Sequence, residues 1–166
     1  MQITLDVSTG AALSAAFVRA PQVLLDELEK GMGSAVAYLL RETQEGTPTA
    51  MGTLRRSFIG RVDVMQMLDA VFGTVSSPLP YAVPVELGTK PHHPPLEPLI
   101  TWAEVKLGLQ DDEAEAAALA IQRKIGRVGT PGYGMAHFAL ADGHETIRGE
   151  IGDAVKRALQ RIGGQA

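Results

Sequence analysis

The side chains of this sequence that could do chemistry are four histidines, a pair of adjacent arginines and one glycine-rich run. His92 and His93 are the first metal candidates. Neighbouring side chains on an extended chain diverge, however, and neither histidine has a partner four residues away, as a helical zinc site requires. His137 and His144 stand seven apart with Gly143 between them and read as loop or interface histidines. The run Gly126-Arg127-Val128-Gly129-Thr130-Pro131-Gly132-Tyr133-Gly134 offers consecutive backbone N–H groups of the kind that cradle a phosphate. It lacks the Gly-Lys-Ser/Thr ending of a nucleotide loop and follows no strand, so it reads as a flexible connector between helices. No Gly-x-Ser-x-Gly elbow holds a nucleophilic serine, and zero cysteines remove thiolate chemistry and disulfides. The expectation is therefore no catalytic residue, no metal and no cofactor. The alternative is a small enzyme or ligand-binding domain built on His92, His93 or the Gly126 to Gly134 run.

The arginines, Arg55 and Arg56, lie in Thr53-Leu54-Arg55-Arg56-Ser57. From Leu54 to Val64 the pattern is nearer two than 3.6, which predicts a strand. Adjacent arginines on a strand face opposite ways, so at least one must be solvated or paired with a carboxylate of another element or another subunit. Ala70 to Val75 predicts a second strand after a break around Gln66 to Asp69, and the two make an antiparallel hairpin. Pro78 and Pro80 end it. Tyr81 to Leu87 is either a short helical turn capped by Gly88 or an extended edge, and Lys90-Pro91-His92-His93-Pro94-Pro95 is a loop stiffened by proline.

Helices must position these pieces. From Pro21 to Arg41 the residues Leu24, Leu25, Leu28, Met32, Ala35, Val36, Leu39 and Leu40 recur every three or four positions. Asp26, Glu27, Glu29 and Lys30 fall between them, which describes an amphipathic helix with Pro21 in its first turn. Gly31 and Gly33 weaken its middle and suit a close contact with another element. Leu96 to Leu107 predicts a helix stopped by Gly108; Asp112 and Glu115 have the spacing of a capping box opening a helix to Ile125, with Gly126 as its end. The acids from Asp111 to Glu115 and the bases Arg123, Lys124 and Arg127 each suit the end of that helix they occupy. A short segment from Met135 to Leu140 leads to a final helix over about 145–162, with Ile147, Ile151, Val155, Leu159 and Ile162 on one stripe. Residues 2–7 alternate as a short strand. Strands in the first half with flanking helices, and no βαβ alternation, define an α+β fold. It is expected to be a single domain over 1–166 with its core at about 21–140.

Composition agrees. A chain of 166 residues with 45% apolar and 20% charged residues is ordinary for one soluble globular domain. Its net charge of −4 argues against a module built to neutralise phosphates, and aromatics at 5% with Trp102 as the single indole are thin for a base-stacking surface. The N-terminal residues lack the basic and apolar regions of a signal peptide, and no run approaches a membrane span.

The middle of the chain resembles a known family. Thr47-Pro48, Gly52-Thr53-Leu54-Arg55-Arg56-Ser57, Gly73-Thr74-Val75, Tyr81-Ala82 and Val85-Glu86-Leu87-Gly88-Thr89 with its following His-Pro loop succeed one another. In order and spacing they resemble, over about residues 21–140, the neck and tail-completion proteins of long-tailed bacteriophages. The resemblance implies an α+β virion subunit without catalysis. Such a subunit assembles into a closed ring, sixfold or as a dodecamer, between the head connector or head-closure protein and the tail-tube or tail-terminator protein. DNA passes through the lumen without sequence-specific binding. It also implies assembly in the bacterial host cytoplasm, residence in the virion, and no membrane contact. A ring needs two complementary patches on each subunit. Arg55, Arg56, Tyr81, Glu86, Thr89, His92 and His93 are the interface candidates, and one of the arginines is expected to pair with Glu86 within or between subunits. The final helix is a further interface element.

Overall fold

The computed structural model of the chain describes residues 8–49, 52–68 and 70–164. The strand expected over 2–7 lies outside them. The first helix, α1 (Ser8–Gly46), starts well before Pro21, which sits inside it on an exposed face. Ala11, Ala12, Ala15 and Ala16 are strong helix formers, so the helix is carried upstream despite the one N–H that proline cannot donate. The order continues as α2 (Thr53–Ser57), β1 (Ile59–Met65), a 3-10 turn at Gln66–Leu68, β2 (Ala70–Ser76), α3 (Ala82–Leu87), β3 (Gly88–Thr89), α4 (Leu96–Leu107), α5 (Asp111–Val128), β4 (Thr130–Pro131) and α6 (Met135–Gly163). This is the helix-rich α+β fold with a small antiparallel hairpin that the sequence predicts. The described chain gathers into two compact units, one of residues 8–41, 59–76 and 140–164, the other of 42–58 and 77–139.

In the first unit β1 and β2 pair antiparallel from Ile59 opposite Ser76 to Met65 opposite Ala70. The hairpin lies on α1 at its glycines. A Cβ at Gly73 would stand 2.6 Å from both Met32 Sδ and Val36 Cγ2, so the bare backbone is what lets the strand reach the helix. Gly31 serves the same end against α6, where a Cβ would stand 2.6 Å from Ala154 Cβ and 3.0 Å from the Glu150 carbonyl oxygen. That close approach corrects the expected stripe of the last helix. Ala154 and Ala158 are fully buried, whereas Val155 and Leu159 face solvent, because a helix held this near its neighbour has room only for small side chains between them. The short segment from Met135 and the final helix are also one element; α6 runs unbroken through Gly143.

Glu27, placed by sequence among the polar residues of α1, is only 4% exposed. Lys30 Nζ donates to its Oε1 at 2.8 Å, Arg161 Nη1 to the same oxygen at 2.7 Å and Arg157 Nε to its Oε2 at 3.1 Å. Those three cations, Lys30 first, hold the carboxyl down at about 2, against burial acting the other way.

The second unit contains α4 packed on α5, and Ala103 on the one and Ala114 and Ala118 on the other have no exposed surface. Gly108 stops α4 at φ 68°, its N–H on the Glu104 carbonyl. The capping box expected at Asp112 and Glu115 does not form. Gln110 is the N-cap, no side chain caps the helix, and Asp111, Asp112 and Glu113 fill the first turn, where their charge still meets the positive end of the helix dipole. Nor does Gly126 end α5. The helix runs through Gly126, on which the His93 ring packs, to Val128, and Gly129 at φ 72°, its N–H on the Ile125 carbonyl, is the true stop.

Candidate functional site

Leu54 to Phe58 does not begin the first strand. Gly52 adopts φ 73°, its carbonyl accepts the Arg56 N–H at 3.1 Å, and the turn continues as α2. The strand starts only at Ile59, which pairs with Ser76 at the end of β2, and Leu54 and Phe58 before it are both buried. On this turn Arg55 Nη2 donates to the carbonyls of Glu45 at 3.3 Å and Thr47 at 3.5 Å, a cation set at the C-terminal end of α1. Ser57 Oγ donates to the Leu54 carbonyl and meets Ser77 Oγ at 2.7 Å. Thr47 Oγ1 donates to the Thr43 carbonyl at 2.6 Å beneath them. Arg56 is exposed on α2.

Tyr81 precedes α3, 43% exposed, and its carbonyl accepts the Val85 N–H. The alternatives left open for Tyr81 to Leu87 resolve as the helical turn, ended by Gly88 at φ 79°. Glu86 then does something the sequence conceals. Its Oε2 accepts the Ala136 N–H at 3.0 Å and its Oε1 the His137 N–H at 2.9 Å, so one carboxylate caps the N-terminus of α6 from fifty residues away. The Tyr133 and Gly134 N–H groups bond back to the Val85 and Glu86 carbonyls. Next to them β3 pairs antiparallel with β4, Thr89 opposite Thr130, with the two hydroxyls 2.8 Å apart.

The Gly126 to Gly134 run is thus no flexible connector. It is the end of α5, a bridge strand and the entry to α6, tied residue by residue to Val85-Glu86-Leu87-Gly88-Thr89. A carboxylate shortly before a Gly-Thr pair, and a Thr-Pro-Gly run before a helix without a capping side chain of its own, were the only signals; nothing local to either says that they meet.

Within one chain Arg55 and Glu86 have these other partners rather than each other. His92 Nδ1 lies 3.0 Å from the Lys90 carbonyl, while His93 packs on Gly126 and Gln122 Nε2 donates to the Pro94 carbonyl at 2.8 Å. His137 meets Phe138 edge to face, and His144 lies 3.5 Å from Glu145 on the surface of α6. No three metal-ligating side chains converge among the described residues, and no described helix is long and apolar enough to cross a membrane.

Beside the Glu86 knot opens a cleft of about 430 Å³ lined by Pro48, Thr49, Val85, Trp102, Lys106 and Tyr133. Trp102 is 40% and Tyr133 57% exposed. The same unit also exposes Val83 and Leu87, one turn apart on α3, and Val105 and Leu107 on α4, all by more than half.

No protein-family model, curated protein or solved structure matches this chain.

Proposed function

We propose that the chain is a structural subunit of the head-to-tail junction of a long-tailed phage, one copy of a closed ring that joins the head connector to the tail tube. The observation that carries this reading is where the family-like segments fall. Gly52 to Ser57 and Val85 to Thr89 lie in the same compact unit, and their polar groups are engaged in building it: Arg55 on the end of α1, Glu86 on the start of α6, Thr89 on Thr130. The same unit exposes Val83, Leu87, Trp102, Val105 and Tyr133. Apolar side chains in that number suit a surface buried against further copies, since such residues concentrate where subunits meet. A ring of net-negative subunits also suits a conduit, because it repels the duplex rather than holding it.

Light scattering on the purified protein, with negative-stain images of the same peak, tests the reading. The expected species is six copies of 17.6 kDa, about 106 kDa, with a central hole, or twice that mass for a dodecamer. A 17.6 kDa species that binds neither phage tails nor filled heads overturns it. In the ring, Arg56→Glu is expected to assemble poorly if this arginine meets a carboxylate of the next subunit; normal assembly of that variant removes Arg56 from the interface.

A further inference from the structure

The chain carries both halves of a recognition pair. One half is the loop Pro91-His92-His93-Pro94-Pro95, which lies outside helix and strand; Pro91, His92, His93 and Pro95 are exposed, and Pro95 stands at φ −55°, ψ 143°. These are polyproline II angles at Pro95, and the rings of Pro91, Pro94 and Pro95 fix φ, so the loop has little chain entropy left to lose. The Gln122 bond to the Pro94 carbonyl and the His93 ring on Gly126 brace the loop further. The other half is the Trp102–Tyr133 cleft, whose two half-exposed aromatic rings, with Pro48 and Val85, form the kind of wall that binds polyproline segments. Charge matches as well. Glu97 follows the loop by two residues and Lys106 lines the cleft, and neither has an ion-pair partner among the described residues.

We infer that the Pro91 to Pro95 loop of a second copy of this chain occupies the Trp102–Tyr133 cleft, with Glu97 of that copy beside Lys106. This contact is heterologous, loop into cleft, which is the kind that propagates around a ring. The inference rests on the reading of the chain as a self-assembling subunit and adds which surfaces meet.

Two measurements on the full chain test it. The first is mass by light scattering for the wild type, Trp102→Ala, the double variant Pro91→Ala with Pro94→Ala, Glu97→Lys, and Glu97→Lys with Lys106→Glu, each checked for native melting. The second titrates the wild type with the synthetic peptide of residues 89–98 and follows the emission of Trp102, the sole tryptophan of the chain. The expected results are a fall in mass for the three weakened variants, recovery in the charge-swapped pair, and a saturable emission change that the alanine-substituted peptide loses. A ring whose mass none of the variants alters overturns the contact and leaves the ring reading standing. A dimer that the variants split supports the contact and sinks the ring. A peptide that binds while mass is unaffected assigns the cleft to a proline-rich segment of another protein and overturns the second-copy occupant. A chain that is monomeric throughout overturns it too.

Discussion

Glu86 shows how much one side chain can decide. Its carboxylate is the only side-chain group accepting from the first N–H groups of α6 among the described residues, and both oxygens are used. Glu86→Ala removes that cap and leaves the donors to water, a loss of about 1–2 kcal/mol for N-caps in general, checked by urea unfolding. Glu86→Gln keeps one acceptor and falls between the two. Glu27 makes a different prediction, in pH. Its folded carboxyl titrates at about 2 against 4.5 in an ordinary glutamate, so the unfolded chain takes up this proton first as acid is added. The stability contributed by Lys30, Arg161 and Arg157 is thus complete above about pH 4.5 and is lost as pH falls towards 2. Melting temperatures measured across that window should decline more steeply for the wild type than for Glu27→Gln, whose melting point is already lower at neutral pH. Equal slopes would mean that the cluster does not carry the acid response.

Elements in this protein approach one another through missing side chains. The α1 and α6 contact at Gly31 leaves 2.6 Å between a notional Cβ and Ala154 Cβ, with a backbone carbonyl as the next neighbour, which cannot swing away. Gly31→Ala should therefore destabilise by about 1–3 kcal/mol even though alanine is the better helix former, as overpacking does. Gly33→Ala, with nothing within 4 Å of the added methyl, should stabilise slightly through helix propensity. The pair of melting curves separates packing from propensity on one helix, two residues apart. The hairpin and α4 with its Gly108 stop were legible in the sequence, because period and glycine act locally, whereas at α3 a helical turn and an extended edge both stayed open. The start of β1, the end of α5 and the buried stripe of α6 were not legible. Each is set by a partner distant in sequence: Ser76 and Ser77 opposite the start of β1, the Thr89 carbonyl tight against Gly129, and Gly31 on Ala154.

At the scale of the whole molecule, charge and exposed apolar surface act together. The isoelectric point near 5.5 removes net repulsion between copies in the same range where Val83, Leu87, Trp102 and Tyr133 remain available for contact. Turbidity against pH should peak near 5.5, and the peak should diminish when Leu87, 76% exposed on α3, is replaced by a lysine.

What the sequence by itself determined is what local physics can determine. Apolar period, the missing donor of proline and the freedom of glycine specified a helix-rich α+β chain with one antiparallel hairpin, and composition excluded thiol chemistry. The histidines, arginines and Glu86 were visible as residue types, but their roles were not. Whether a carboxylate caps a distant helix, bridges to an arginine or sits buried among three cations depends on which backbone N–H groups and charges lie within about 3 Å of it. Sequence spacing does not encode that distance once the partners are fifty or more than a hundred residues apart. Tertiary structure decided it by bringing Val85 to Thr89 against the entry of α6 and Glu27 against Arg157 and Arg161.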